Sequence, residues 1–399
     1  MNISIFSDTF YPNINGVTVT LLNFTQFLAE KGHKIKLIVP NYGKTELKYF
    51  HENISIERHL SFKLIGYPEF RLAVPVPRKI RESLKRFKPD IIHVHTPGTL
   101  GVMGMRFAER YKIPLIGTYH TYLPDFLICI SPNKKIDKSG KNNLSKKIVW
   151  KLSNSFYDKC DLVTVPSESM KEVLEKNGLK AKVIFLSNGL NLDDFSNKEN
   201  YNGNNRLLHV GRMSYEKSVD VLIRSVEILS KEFPDISLSI VGEGPALKSL
   251  KMLVKELGLE KNIHFFGFVE HSKLSDIYKE HDIFITASTI ETQGIVILEA
   301  MASGLPIIGV NKLAIPECVK NNANGYITKP FDEKEMAEKI KILYLDSKLR
   351  EVFGRRSSER VKEHDIKNTI EKLESLYFEY KDIKNKNISQ AYSEMTHSS

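Results

Sequence analysis

Three cysteines in 399 residues are few, and Cys129, Cys160 and Cys318 have no metal-like spacing. An odd number of scattered thiols argues against a disulfide framework and fits a reducing, cytoplasmic compartment. Tryptophan occurs once, at Trp150. No apolar run reaches the length that spans a bilayer, so any membrane contact is expected to be peripheral. The N-terminus, M-N-I-S-I-F-S-D, lacks the basic segment of a secretory signal. There is no helix-turn-helix, stacking-aromatic or zinc pattern to turn positive charge into nucleic-acid recognition.

What is present is an ordinary globular composition, 41% hydrophobic and 27% charged, over a length natural for two domains. The net charge of +10 calls for an anionic partner, and leaves acidic lipid and sugar diphosphate open. Strands alternate with helices throughout, which predicts parallel α/β sheets. Ile3–Ser7 reads as a strand, Asp8–Gly16 as a polar loop, Val17–Lys31 as a helix and Lys34–Pro40 as the next strand. Gly16 then lies at a strand's C-terminal end, where open α/β sheets bind ligands, although a plain tight turn reads equally well. Asp90–His95 and Pro114–Thr118 are further strands, the second delivering Tyr119-His120-Thr121. His93 and His95 have no third ligand nearby in sequence, so a metal is not expected. Ser187–Asn205, rich in Asn, Asp, Gly and Lys, reads as the interdomain linker.

In the second half, strand Arg206–Val210 runs into G-R-M-S-Y-E-K, placing Arg212 and Lys217 where two cations suit one diphosphate. Strand Ser237–Val241 runs into Gly242-Glu243-Gly244-Pro245. The third glycine of a dinucleotide fingerprint is replaced by Leu247, which makes NAD a poor match. Glu291–Gly309, E-T-Q-G-I-V-I-L-E-A-M-A-S-G-L-P-I-I-G, reads as loop, helix and strand. Gly294 lies near the helix start, Glu299 in its first turns, and Gly304 is the terminating glycine. A helix start flanked by two acids suits phosphates on its amides and hydroxyls on its carboxylates.

The E-x7-E spacing followed by E-A-M-A-S-G-L-P-I-I resembles the retaining family-four glycosyltransferases, and Thr-Gln-Gly after Glu291 resembles the branch that glucosylates or galactosylates diacylglycerol. The resemblance implies a GT-B fold: two doubly wound Rossmann-like domains facing across a cleft, with the last helix crossing back to the first domain. It implies a UDP-sugar donor and front-face transfer with retention. Gly16 would approach the diphosphate, Arg212 and Lys217 would clamp it, and Val269 would back the base. Glu291, His120, Gln293, Gly294 and Ile295 would hold the sugar and phosphates, and Glu299 the ribose. No cofactor is implied and, with no D-x-D in the chain, no bridging metal. Two departures stand out: Asn15 replaces the first of two loop glycines, and Ser218 replaces the glycine after the lysine.

Lys134–Lys151 is basic and amphipathic, and reads as a membrane-surface segment through Lys146, Lys147, Trp150 and Lys151. Arg78–Lys88, with Arg81 and Lys85, reads equally as a membrane face or as a core-packed helix with a solvated cationic side. The expected domains are 1–187 for acceptor and membrane, 188–365 for the UDP-sugar, a crossover helix over 366–383 and a disordered tail over 384–399. The expected activity is transfer of glucose or galactose to diacylglycerol at the inner face of the cell membrane. Alternatives are a soluble retaining transferase acting on a sugar or lipid-linked saccharide, and a sugar-nucleotide-binding protein without catalysis.

Overall fold

The computed structural model describes residues 1–43, 51–64, 67–124, 143–201 and 205–397. The chain divides into two compact units, Met1–Gly189 with Ile366–Ser399, and Leu190–Asp365.

The first unit carries β1 (Asn2–Phe6), β2 (Lys34–Pro40), β3 (Ile54–His59), β4 (Ser61–Leu64), β5 (Tyr67–Ala73), β6 (Ile91–Val94), β7 (Leu115–Thr118), β8 (Leu162–Val165) and β9 (Val183–Phe185). Seven of these form a sheet in the order β3-β2-β1-β6-β7-β8-β9, and β4 and β5 form a separate antiparallel hairpin. The second unit carries β10 (Leu207–Val210), β11 (Leu238–Val241), β12 (Ile263–Gly267), β13 (Ile283–Ile285), β14 (Ile307–Val310) and β15 (Gly325–Thr328), in the order β12-β11-β10-β13-β14-β15. Neighbours in both large sheets are parallel. Their strands are short apolar runs because both faces are covered by helices. In each sheet the strand order reverses once, between β1 and β6 and between β10 and β13. A parallel sheet opens a crevice at such a reversal, beyond the strands' C-terminal ends.

Helix Gly16–Glu30 follows β1, and Asn15 caps it by accepting from the Thr18 amide at 3.0 Å. This accounts for the missing glycine: the position needs a side-chain acceptor for an orphan N–H, which asparagine provides. The polar stretch from Glu333 to Arg360 is two helices, Glu333–Leu345 and Ser347–Arg360, separated by Asp346, whose carboxylate caps the second through the Leu349 amide at 2.8 Å.

The last helix, Ile366–His397, belongs to the first unit. Ile370, Leu373, Tyr377 and Tyr380 lie on one helical face and join that unit's core. The expected disordered tail from 384 is corrected by this span: no glycine or proline interrupts Lys384–His397, so no breaker ends the helix. Tyr377 reaches further in. Its hydroxyl lies 2.7 Å from His93 Nδ1, whose Nε2 lies 2.7 Å from the Thr118 hydroxyl, which meets Thr164 at 2.7 Å. Tyr377→Phe would leave a buried imidazole nitrogen unpaired, and is expected to lower stability by about 1–3 kcal/mol. Urea unfolding of the two proteins measures it, and equal midpoints would remove the role assigned to this chain of hydrogen bonds.

Candidate active site

Three charged side chains that the sequence reading singled out, Arg212, Lys217 and Glu291, lie on loops that leave the strand-order reversal of the second unit. β10 ends at Val210 and delivers Gly211-Arg212, and β13 ends at Ile285 and leads through Ser288 to Glu291. Lys217 closes a single turn of 3-10 helix, Tyr215–Lys217, and its Nζ sits 2.5 Å from Glu291 Oε1. These two groups are 74 residues apart in sequence and both are largely buried. Burial alone would raise the Glu291 pKa, but the charge and hydrogen bond of Lys217 outweigh it, so the carboxylate titrates below its ordinary range.

Arg212 is held differently. Its Nη2 donates to Glu216 Oε1 at 2.8 Å, and the Ser214 hydroxyl donates to the same oxygen at 2.5 Å. Glu216 is buried, and although burial opposes its charge, Ser214 and Arg212 hold its pKa down. Sequence reasoning gave Glu216 no role, yet it stands in the same G-R-x-x-x-E-K element. An acid four residues after an arginine is the available signal.

The turn Gly242-Glu243-Gly244 supports the Arg212 loop from behind. The Met213 amide donates to the Glu243 carbonyl at 2.9 Å, and the Ala246 amide to the Met213 carbonyl at 2.8 Å. A Cβ on Gly242 would collide with the Gly211 carbonyl, and one on Gly244 with the Met213 carbonyl. Both glycines therefore permit close backbone packing, a use unrelated to a dinucleotide.

His209, on β10, is a further group that the sequence did not reveal. It is buried, its Nδ1 lies 3.0 Å from the Ile285 carbonyl, and burial pushes its pKa down to about 4. Its ring is therefore neutral at neutral pH.

Gly294 is the N-cap of helix Ile295–Ala302, at φ +79. A Cβ there would lie 2.9 Å from Ile297 Cδ1 in a backbone conformation that side chains disfavour. Gly294→Ala is expected to cost about 1–2 kcal/mol of stability and to displace the first-turn amides of Ile295 and Val296. Thermal unfolding checks it; a variant as stable as the parent would show the turn to be slack. Gly304, at φ +78, ends this helix.

Glu299, on the same helix, points to Tyr278, whose hydroxyl donates to Oε2 at 2.8 Å, and to His271, whose Nε2 lies 3.4 Å from Oε1. This contact raises the His271 pKa. Gln293 is buried, its amide nitrogen 3.4 Å from His364 Nδ1. Val269 follows β12 and packs on the second unit's core.

In the first unit, Gly16 is the exposed first residue of its helix. His120 follows β7, with Nε2 2.8 Å from His95 Nδ1. Burial pushes the His120 pKa down to about 3 against a hydrogen bond to Asn188, so its ring is neutral at physiological pH. Asp8, which carried no expectation, accepts the Leu100 amide at 2.8 Å, the Gly101 amide at 3.3 Å, and the Thr96 and Thr99 hydroxyls at 2.7 and 3.1 Å. It ties the loop after β1 to the start of helix Thr99–Tyr111 across that sheet's own reversal. Among the described residues no group of three or more His, Cys, Asp or Glu is placed to hold a metal ion.

The basic segment needs one correction. Residues 134–142 lie outside the described ones. In helix Asn143–Tyr157, Trp150 is buried and stands edge-on to Tyr122 at 5.9 Å. It packs inward with Ser153, Phe156 and Tyr157, so the tryptophan is a core residue and not a membrane anchor. Ile148 and Leu152 are exposed instead, with Lys147 and Lys151 beside them and Lys146 half-buried. Arg81 and Lys85 are exposed on helix Pro77–Phe87. Among the described residues no helix is long and apolar enough to cross a membrane.

Comparison with known proteins gives a consistent picture. The family model described as Glycosyltransferase Family 4 matches residues 14–194, and that described as Glycosyl transferases group 1 matches residues 192–360. The alpha-monoglucosyldiacylglycerol synthase of Streptococcus pneumoniae is 31% identical over 322 residues, 77% of this chain and 70% of that protein. The synthase of the same name from Acholeplasma laidlawii is 28% identical over 342 residues, 82% of this chain and 84% of that protein. The Anabaena protein HepE, solved with UDP-glucose, superposes with a TM-score of 0.73 at 18% identity, covering 94% of this chain and 98% of that one.

Proposed function

The chain belongs to the family-four glycosyltransferases of GT-B fold, and we propose that it moves glucose or galactose from a UDP-sugar to the free hydroxyl of diacylglycerol with retention. The observation that carries the donor half is the pairing of Lys217 with Glu291, beside Arg212, at the strand-order reversal of the second unit. Two cations and a helix N-terminus suit a pyrophosphate, and a carboxylate suits sugar hydroxyls. HepE was solved with UDP-glucose, which supports a uridine donor. Two relatives named as glucosyldiacylglycerol synthases support the acceptor.

In this reading Arg212 and Lys217 take up the negative charge that grows on the departing diphosphate, with the Ile295 and Val296 amides adding their dipoles. Glu216 holds the Arg212 guanidinium in place so that it is not reorganised during transfer. Glu291 orients the sugar through its hydroxyls while fixing the Lys217 ammonium. Glu299, the other acid of the pair, is turned to Tyr278 and His271. Retention is what the family resemblance implies, and attack is assigned to the same face as departure, with a leaving diphosphate oxygen accepting the acceptor's proton. Ribose hydroxyls replace the long His271 contact on Glu299 Oε1, and Tyr278 keeps Oε2. The neutral ring of His120 is suited to hydrogen-bond a sugar hydroxyl without adding charge.

The test is direct. Purified protein is given diacylglycerol in mixed micelles with radiolabelled UDP-glucose or UDP-galactose, and the lipids are separated by thin-layer chromatography. An α-linked monoglycosyl product from one donor is expected. Transfer to a soluble sugar or a lipid-linked saccharide, with none to diacylglycerol, would replace the acceptor assigned here.

A further inference from the structure

The hairpin β4–β5 reverses the usual pattern of a sheet packed on a core. Along β4 and its flank, Leu60 and Phe62 are each 59% exposed, while Ser61 between them is buried. Along β5 and its flank, Leu72 and Val74 are 52% and 42% exposed, while Ala73 between them is buried. Side chains alternate faces along a strand, so the small residues face the protein and the large apolar ones face out. Phe62 stands opposite Leu72 in the ladder, and the Val74 amide bonds the Leu60 carbonyl at 2.7 Å. The four side chains therefore form one continuous outward face, which Val76, 48% exposed, extends. An apolar face left open to water in this way marks a surface that meets another phase or partner.

The next residue begins helix Pro77–Phe87. Ile80, Ser83 and Leu84 anchor it, and its remaining surface is cationic. Arg78, Lys79, Arg81, Lys85, Arg86 and the following Lys88 are all exposed, against the single acid Glu82, which pairs with Arg78 at 3.0 Å. An apolar face continuous with a basic helix is complementary to one kind of surface, an anionic lipid leaflet. Apolar side chains enter the acyl boundary there and cations lie at the headgroups.

We propose that the β4–β5 hairpin is the inserting element of a membrane-docking surface, with Leu60, Phe62, Leu72 and Val74 entering the bilayer and helix Pro77–Phe87 supplying attraction to anionic headgroups. This deepens the acceptor reading, since diacylglycerol resides in such a leaflet, but it stands on the hairpin's own geometry. Docking through the hairpin brings the first unit to the lipid without a spanning helix.

The experiment is co-sedimentation of the full chain with vesicles of phosphatidylcholine alone or of phosphatidylcholine and phosphatidylglycerol in equal parts. Parent protein is expected to bind the anionic vesicles. The double variant Phe62→Ser/Leu72→Ser is expected to bind them on the order of tenfold more weakly. Arg81→Glu/Lys85→Glu is expected to lose the preference for phosphatidylglycerol. Leu345→Ser, which removes an equally exposed leucine in the second unit, should bind like the parent. Phe62→Trp should add blue-shifted emission over the parent signal on anionic vesicles, quenched by brominated acyl chains. UDP binding confirms that each variant is folded. Unchanged sedimentation of the hairpin variant, or an unquenched new indole, overturns the proposal. So does a parent dimer that the hairpin variant dissolves. Transfer to diacylglycerol in micelles is read separately: its absence in a parent that still docks through the hairpin would sink the acceptor and leave the docking surface standing.

Discussion

Lys217→Ala is expected to slow sugar transfer by roughly 10²–10³-fold, the cost of removing one charged group from a developing oxyanion in a largely dry site. Two losses combine. The leaving diphosphate forfeits a cation, and Glu291 forfeits the main partner that offsets its burial. Lys217→Arg should recover part of the rate, because it keeps the charge but replaces a compact ammonium by a planar fork. Initial rates of UDP release in the presence of acceptor, with UDP affinity by calorimetry, separate the chemical from the binding contribution. UDP-sugar turnover equal to the parent's would remove Lys217 from the machinery, and with it the assignment of this pair as the donor site.

Glu291→Gln should lower kcat/KM by about 10²-fold and also change its pH dependence. In the parent, the working form is the carboxylate. Its pKa is depressed, so activity should hold down to pH values below the ordinary carboxylate range and fall as pH drops through the lowered value. Below it, protonation breaks the bond to Lys217 and removes the acceptor for sugar hydroxyls. In Glu291→Gln that acid limb should vanish. In Lys217→Ala it should move to higher pH, because burial then acts on the carboxylate without the opposing cation. An acid limb at the same pH in all three proteins would assign the titration to another group.

The hairpin and helix Asn143–Tyr157 show where sequence reading stopped. Strands such as Lys34–Pro40 and Arg206–Val210 were legible because each is a short apolar run bounded by turn residues, and the α/β class followed from their alternation with helices. The β4–β5 region offers the same alternation, but with small residues on the inner face, and alternation alone does not say which face is inside. In helix Asn143–Tyr157 two stripes compete. Ile148 and Leu152 are spaced as well as Trp150, Ser153 and Tyr157, and only the second stripe meets a partner surface, at Tyr122 among others. The tail was read from its polarity, yet its helix is continuous with a stretch anchored on the core by Tyr377 and its neighbours.

By itself the sequence determined what is local: the glycine turns, the caps, the strand–helix alternation and the acids eight residues apart that mark the family. Folding decided what is paired. It joined Lys217 to Glu291 across 74 residues, turned Glu299 aside to Tyr278 and His271, and surrounded Lys217 with the buried groups that set its partner's charge. The reason is that spacing along a chain fixes direction within one element, whereas burial and electrostatic neighbours depend on which elements meet, and that is set only when the sheet closes in its 12-11-10-13-14-15 order.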